Sequence, residues 1–196
     1  ANVSHELKTP LTSISGYAEM ISTGMAKLED SKSFAEKIQK EASRLLAIIT
    51  DIMKLSRLEE GNIQGDMKKV DLLKVINASA ERLSGALAEK SITLDLPDRE
   101  VCLLGNEGML EELVFNLIEN AVKYNIPQGK VSVELEEDGD LVRLRVKDTG
   151  IGISIEDQER IFERFYRVDK SHSKKTGGTG LGLAIGKHIA EYHKGT

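Results

Sequence analysis

Near its start the chain reads Ser4-His5-Glu6-Leu7-Lys8-Thr9-Pro10, inside a helical pattern of apolar residues. These residues alternate at spacings of four and three, as in an amphipathic helix: Val3, Leu7, Leu11, Ile14, Ala18 and Ile21. His5 lies off this stripe, so we expect its imidazole to face away from the apolar seam. Pro10 cannot donate a hydrogen bond to the carbonyl of Glu6, so we expect the helix to bend or loosen beyond His5. The stretch is typical either of a solvated ion pair or of a nucleophilic histidine with Glu6 and Thr9 as supporting groups.

A second helix follows the first after a short loop. Gly24 ends the first pattern, and Ser31 or Ser33 can cap a helix that runs to about Glu60. Its apolar residues have coiled-coil spacing: Ile38, Ala42, Leu45, Ile49 and Ile52. Such a hairpin cannot bury both apolar faces alone. We therefore predict that two copies form a dimeric four-helix bundle, the alternative being that the hairpin packs against the rest of its own chain.

The remaining residues predict a second, α+β domain with a mixed, antiparallel-rich sheet packed on helices. Helices are predicted at 71–89, 107–124 and 181–193, and strands at 92–96 and 101–104. Alternating apolar residues at 131–135 and 141–146, on either side of Asp138-Gly139, predict a β-hairpin. We place the domain boundary after residue 62, which gives domains 1–62 and 63–196.

Composition excludes several classes of protein and site. The chain has 196 residues, 40% of them hydrophobic, and a net charge of -5, which argues against a nucleic-acid binder. Its single cysteine, Cys102, excludes an internal disulfide and a cysteine-cluster metal site, and we expect a buried structural thiol. No apolar run is long enough to cross a bilayer, and no signal peptide is visible.

Two clusters in the second domain suggest a nucleotide site. Asn116 and Asn120 share one helix face, where amide oxygens could ligate a hard cation already bound to phosphates, and Lys123 adds a positive charge. The alternative is a pair of ordinary surface amides. Asp148-Thr149-Gly150-Ile151-Gly152 follows a strand, so its carboxylate could accept a hydrogen bond from an exocyclic amine while the glycines allow a flat ligand to approach. By itself this stretch is a turn.

Two further clusters would suit phosphates. The segment 161–169, with Phe162, Phe165 and Arg167, precedes several lysines and could form a mobile cover or simply a solvated face. Gly177-Gly178-Thr179-Gly180-Leu181-Gly182 opens the last helix, where backbone amides can bind an anion. A dinucleotide fold does not fit, because no strand directly precedes the glycines, and no Lys-Ser or Lys-Thr completes a Walker motif.

Together, these motifs resemble those of the sensor histidine kinases of two-component signalling, over nearly the whole chain. Ser4–Pro10 resembles the H box of that family, Asn116–Tyr124 the N box, Asp148–Gly152 the G1 box, Phe162–Arg167 the F box and Gly178–Gly182 the G2 box. The resemblance implies a dimerisation and phosphotransfer domain followed by an ATP-binding α/β sandwich of the Bergerat type. It also implies a first helix that begins further upstream and final strands that lie beyond residue 196.

The resemblance also implies roles for individual residues. His5 would accept the γ-phosphate of ATP and pass it to an aspartate in the receiver domain of a response regulator. Glu6 would hold the imidazole tautomer and take its proton, while Thr9 could position water in a phosphatase reaction on the regulator. Nucleotide contacts are implied for Asn116, Asn120, Lys123, Tyr124, Asp148, Gly150, Gly152, Arg167, Gly178, Gly180 and Gly182.

Asn120 would ligate Mg²⁺ within this site. Related ATPases place a water-activating carboxylate one helical turn earlier, where this chain has Asn116, so the resemblance favours transfer to His5 over hydrolysis. A scaffold that binds nucleotide without phosphorylating itself is the rival from another class. We expect the cytoplasmic portion of a membrane-bound sensor kinase, anchored only through segments outside these residues.

Overall fold

The computed structural model describes residues 3–60, 66–139, 141–168 and 178–196. The elements in these ranges are α1 Val3–Ser22, α2 Leu28–Glu59, β1 Lys68–Asp71, α3 Leu72–Arg82, α4 Ser84–Lys90, β2 Thr93–Asp95, β3 Cys102–Gly105, α5 Glu107–Lys123, β4 Lys130–Asp138, β5 Leu141–Asp148, α6 Ile155–Gln158 and α7 Gly182–Tyr192. The chain divides into two compact units, the first Ala1–Arg57 with Arg160–Ala184 and the second Leu58–Glu159 with Ile185–Thr196. The boundary after residue 62 stays a prediction.

The first unit contains the predicted helical hairpin. Helix α1 continues through Pro10, whose side chain is buried, and it ends just before Gly24, whose φ of 72° suits a glycine. Helix α2 begins at Leu28, so the predicted caps Ser31 and Ser33 are wrong. The Ser31 hydroxyl instead donates to the Lys27 carbonyl at 3.4 Å, inside the helix.

The face that α1 presents to α2 also differs from the predicted stripe. Pro10 is buried and Tyr17 packs on Phe34 of α2, with ring centroids 5.3 Å apart, whereas Leu11 is 55% exposed. On α2, Ile48 is fully buried and the predicted Ile49 is exposed. Each helix therefore has a second apolar face, which we call the outer stripe: Val3, Leu11 and Ile21 of α1, Met25 of the loop, and Leu46, Ile49 and Met53 of α2.

The second unit has the predicted mixed sheet. Strand β2 pairs in parallel with β4, β4 pairs antiparallel with β5, and β1 pairs antiparallel with β3. Helix α5 packs against β4, β5 and α3, and the second unit has one apolar core. This core consists of Val70, Leu72, Val75, Ile76, Leu83, Ile92, Leu110, Val114, Ile118, Ala121, Val122, Val131 and Val133. Each fully buried large aliphatic side chain contributes about 1.5 to 3 kcal/mol, so this core fixes the position of α5 on the sheet.

Sequence patterning located α5, α7 and the β4–β5 hairpin correctly, but other predictions need correction. The helix predicted over 71–89 is two helices, because the backbone at Leu83 has a ψ of 0° and the buried side chain turns into the core. Strand β1 and helix α6 were not predicted. Cys102 is half-buried rather than buried, and desolvation raises the pKa of its thiol. None of the helices in the described ranges combines the length and the apolar character that a membrane span requires.

Candidate functional site

His5 lies on the solvent side of α1, as its position off the apolar stripe predicts. Its side chain is 78% exposed, and Nδ1 lies 3.9 Å from Oε1 of Glu6. That distance is too long for a hydrogen bond, so the role of Glu6 in holding the imidazole tautomer stays a prediction. The Thr9 hydroxyl donates to the His5 carbonyl at 3.1 Å. Its oxygen keeps acceptor capacity, and the role of Thr9 stays a prediction.

The Glu6 carboxylate is held from the neighbouring helix. Arg44 of α2 places Nη2 3.9 Å from Oε2 of Glu6, and its Nη1 lies 3.9 Å from Glu41. Glu6 is half-buried between His5 and this guanidinium, so one carboxylate oxygen faces the imidazole and the other faces a permanent cation. Sequence reasoning did not find Arg44, since its partner lies on another helix.

In the second unit, four of the predicted nucleotide contacts lie near the carboxyl end of α5, three within the helix and the fourth, Tyr124, at its C-cap. Asn116 and Asn120 are half-buried and stand one turn apart. The Lys123 ammonium lies 5.3 Å from the centre of the Tyr124 ring, in a cation–π arrangement. These side chains therefore lie along the last two turns of α5 and at its C-cap.

The turn after β5 is attached directly to this end of α5. The backbone amide of Ile151 donates to the Tyr124 carbonyl at 3.1 Å. A Cβ on Gly150 would lie 2.4 Å from the same carbonyl oxygen, so only glycine permits this approach. The structure thus brings together Tyr124 and Gly150, which are separated by a strand pair in the sequence.

Asp148 is exposed and partly committed to its own turn. Its Oδ1 accepts the Gly150 amide at 2.8 Å, which fixes the carboxylate and leaves Oδ2 as an acceptor for a ligand amine. Gly152 has a φ of 69°, the left-handed conformation that favours glycine. The geometry suits recognition of a planar base with an exocyclic amino group.

Lys90 and Asn125 stabilise this region through hydrogen bonds, and sequence reasoning missed both residues. Lys90, at the end of α4, donates from Nζ to the carbonyls of Val122, Lys123 and Asn125 at 3.1, 2.6 and 3.2 Å. It thereby caps the carboxyl end of α5 with a positive charge. The side chain of Asn125 is almost completely buried and links α5 to β4. A basic residue in the last turn of α4 was the visible signal for Lys90, but nothing in the pattern indicated which carbonyls it caps.

In the first unit, the segment 161–168, which contains Phe162 and Phe165, contacts the glycine loop, of which residues 178–182 are described. Arg167 donates from Nη1 to the Gly178 carbonyl at 2.8 Å, and the Phe165 amide donates to the Gly180 carbonyl at 2.9 Å. Gly178 and Gly180 have φ values of 107° and 74°, which suit glycine. Gly182 is the first residue of α7. Asp169, Lys170, Lys174, Lys175 and Gly177 lie outside the described residues.

Within the described part of the chain, no group of three or more histidine, cysteine, aspartate or glutamate side chains is placed to hold a metal. The amide oxygens of Asn116 and Asn120 are neutral, hard donors. This set fits a magnesium ion that receives most of its ligands from phosphates and water, and it does not fit a cation held by protein carboxylates.

Comparison with known proteins gives two family matches. Residues 1–61 match the family described as His Kinase A (phospho-acceptor) domain. Residues 105–196 match the family described as Histidine kinase-, DNA gyrase B-, and HSP90-like ATPase. The first match contains His5, and the second contains α5, the Asp148 turn and the glycine loop.

Individual relatives agree with these matches. The chain is 41% identical to the sensor-like histidine kinase SenX3 of Mycolicibacterium smegmatis, over all of this chain and 51% of that protein. It therefore spans about half the length of this curated relative. A solved structure of the mycobacterial sensor histidine kinase MprB is 31% identical, with a TM-score of 0.56 over 65% of this chain and 80% of that chain.

A second solved structure is similar in fold. It is the histidine kinase ThkA in complex with the response regulator protein TrrA, which is 22% identical and has a TM-score of 0.74 over 98% of this chain and 54% of that chain. The motifs, the two family matches and the identity with MprB agree. The chain belongs to the sensor histidine kinases of two-component signalling.

Proposed function

We propose that this chain is the kinase part of a protein that phosphorylates itself on His5 with ATP and then transfers the phosphoryl group to an aspartate of a response regulator. The observation that carries this proposal is the exposed His5 with the Glu6 carboxylate beside Nδ1, in a chain of this family. A solvent-exposed nucleophile suits a reaction in which both donor and acceptor must reach the same atom.

The proposed reaction uses the two ring nitrogens of His5 in different ways. Glu6 favours the tautomer with the proton on Nδ1, which leaves the lone pair of Nε2 as the nucleophile. A bond forms between Nε2 and the γ-phosphorus while the bond from that phosphorus to the bridging oxygen of ADP breaks. The imidazole becomes positively charged, and Glu6 stabilises that charge or accepts the Nδ1 proton. Arg44 restrains Glu6 in the required orientation.

We propose that ATP is bound by the motif residues of the predicted second domain. Asp148 would accept from the adenine amine, with Gly150 and Gly152 shaping the space for the ring. Lys123, Tyr124 and Arg167 would contact the nucleotide. Backbone amides near Gly178, Gly180 and Gly182 would bind the phosphates at the start of α7.

Asn120 would hold magnesium, with Asn116 beside it. A bound magnesium ion neutralises phosphate charge and orients the γ-phosphate for transfer. Asn116 has no basic group, so it cannot activate water at this position. That difference favours phosphoryl transfer to His5 over hydrolysis.

The outer stripe supports the proposal of a homodimer. It consists of large apolar side chains that the hairpin leaves exposed on both helices. A second copy of the hairpin would bury these side chains in a four-helix bundle. A receiver domain is the proposed partner for phosphotransfer, since ThkA, similar in fold, was solved with a response regulator. We also propose that the chain is the cytoplasmic portion of a membrane-bound sensor, as its resemblance implies.

Incubation with γ-labelled ATP and magnesium tests the proposed kinase activity. We expect the wild-type chain to acquire label that is lost in acid and retained in alkali, as a phosphoramidate requires. His5→Gln should reduce this label at least a hundredfold, and chelation of magnesium by EDTA should prevent labelling. His188→Gln is a matched control, since it removes a histidine from α7, and should label as wild type.

Label that persists in His5→Gln, or no label on a wild-type dimer that binds ATP, would contradict the proposed function. The second result would support the rival interpretation of a nucleotide-binding scaffold.

A further inference from the structure

Asn125 stands at the junction between α5 and β4, and its side chain is only 6% exposed. Its Oδ1 accepts the Ile126 amide at 3.0 Å and the Thr149 hydroxyl at 3.2 Å, while Nδ2 donates to the Lys130 carbonyl at 3.1 Å. A buried amide with this many partners is fixed in one orientation.

Thr149 completes the same network from the turn after β5. Its Oγ1 accepts the Lys130 amide at 2.8 Å while its proton is donated to Asn125. The Thr149 backbone amide also donates to the Lys130 carbonyl at 3.1 Å. Thr149 lies between Asp148 and Gly150. Its hydroxyl therefore connects this turn both to the start of β4 and to Asn125, which follows Tyr124 at the end of α5.

Neighbouring residues are adapted to this network. A Cβ on Gly129 would lie 2.1 Å from Oδ1 of Asn125, so the amide occupies space that a side chain would fill. The Lys90 ammonium binds the Asn125 carbonyl at 3.2 Å. The network is held from α4, α5 and β4 and leaves Asp148 at its edge.

We propose that Asn125 and Thr149 are positioning residues for adenine recognition, because their hydrogen-bonded pair sets the distance between Asp148 and the nucleotide-binding end of α5. The inference rests on the proposed nucleotide site. Neither side chain needs to touch the nucleotide. Removing the Thr149 hydroxyl breaks its hydrogen bonds with the Lys130 amide and with Asn125 Oδ1, which then keeps only the Ile126 amide, so the turn shifts and Asp148 loses its alignment with the adenine amine.

The choice of base distinguishes this role from a general structural one. Guanine presents a carbonyl where adenine presents its amine, and a fixed carboxylate accepts from the amine and repels the carbonyl. A displaced Asp148 should weaken ATP binding more than GTP binding. General damage to the domain should weaken both nucleotides by the same factor.

The test is the ratio of the Kd values for ATP and GTP, measured by calorimetry on the whole chain with magnesium. We expect Thr149→Val to reduce the preference for ATP about tenfold, the effect of one displaced hydrogen bond. Thr149→Ala removes the same hydroxyl without β-branching and covers the case in which the valine variant does not fold. Thr149→Ser, which keeps the hydroxyl, should stay within about twofold of wild type.

Thr93→Val is the matched control, since it makes the same change at an exposed position of β2 and should leave the ratio unchanged. The inference is overturned by a folded hydroxyl-free variant with a wild-type ratio, by a serine variant as defective as the valine one, or by a wild-type chain without preference for ATP. Because binding is measured without phosphorylation, a chain that binds ATP selectively but never labels His5 contradicts only the proposed function.

Discussion

At the scale of single residues, Gly150 allows the Asp148 turn to lie close to the Tyr124 carbonyl at the end of α5. The space for a Cβ is already filled by the Tyr124 carbonyl, 2.4 Å away. Backbone on both sides would have to move to admit a methyl group. The turn can therefore hold Asp148 in this position only because Gly150 has no side chain.

Gly150→Ala should separate the turn from α5 and break the hydrogen bond between Ile151 and Tyr124. We expect a loss of about 1 to 3 kcal/mol in unfolding free energy, typical of overpacking, and weaker ATP binding. Urea denaturation and calorimetry measure the two effects. Gly85→Ala is the control, because a Cβ there meets nothing within 4 Å. Wild-type ATP affinity in Gly150→Ala would show that this approach has no role in the site.

Residue types and spacing singled out His5, Glu6 and the motif residues as candidates, but they did not indicate the residues that contact them. Lys90 caps carbonyls that lie 32 to 35 residues further along the chain, and Arg44 reaches Glu6 from another helix. Contacts of this kind depend on tertiary packing, which periodicity does not encode. The buried role of Asn125 was missed for the same reason, since an asparagine after a helix is ordinarily a turn residue.

At the scale of elements, the β4–β5 hairpin carries a ladder of opposite charges on its exposed face. Glu134 faces Arg145 across the strands and accepts hydrogen bonds from Lys147 at 2.7 Å and Arg145 at 3.0 Å. Hydrogen bonds from Lys147 and then Arg145 lower the pKa of the Glu134 carboxyl below its ordinary value of 4.5. The charged form is therefore favoured in the folded hairpin.

The sign of this shift predicts how the hairpin responds to acid. A lowered pKa contributes stability above the unfolded value, and this contribution disappears as the pH falls from about 4.5 through the folded pKa. Glu134→Gln should lower the melting temperature slightly at pH 7, and the difference from wild type should vanish at low pH. Melting curves of the wild-type chain and the variant across this pH range test the prediction. A difference that grows in acid would contradict the assignment.

Long periodic elements were predictable, and short or two-faced ones were not. Helix α5 and the β4–β5 hairpin follow their patterns closely, whereas β1 has four residues and α6 four. The apolar stripe predicted on α1 exists, but much of it is the outer stripe rather than the face against α2. A helix with two apolar faces gives no sequence signal for which face packs within its own chain.

At the scale of the whole molecule, the outer stripe predicts association of two chains. Leu11→Lys places a charge in the proposed bundle and should convert a dimer into a monomer of about 21.6 kDa at micromolar concentration. Light scattering coupled to gel filtration measures the mass. Leu104→Lys is the matched control, because Leu104 is a similarly exposed leucine of β3 outside the stripe. A dimer that survives Leu11→Lys, or a wild-type chain that is always monomeric, would refute the proposed bundle.

In the proposed reaction, His5 accepts phosphate on Nε2 because Glu6 lies on the side of Nδ1. Phosphorus NMR of the chain after reaction with ATP, denatured in alkali to preserve phosphoramidates, distinguishes the two ring nitrogens directly. We expect a single Nε2-phosphohistidine signal that is absent in His5→Gln. A signal from phosphate on Nδ1, or from a phosphoester on serine or threonine alone, would contradict it.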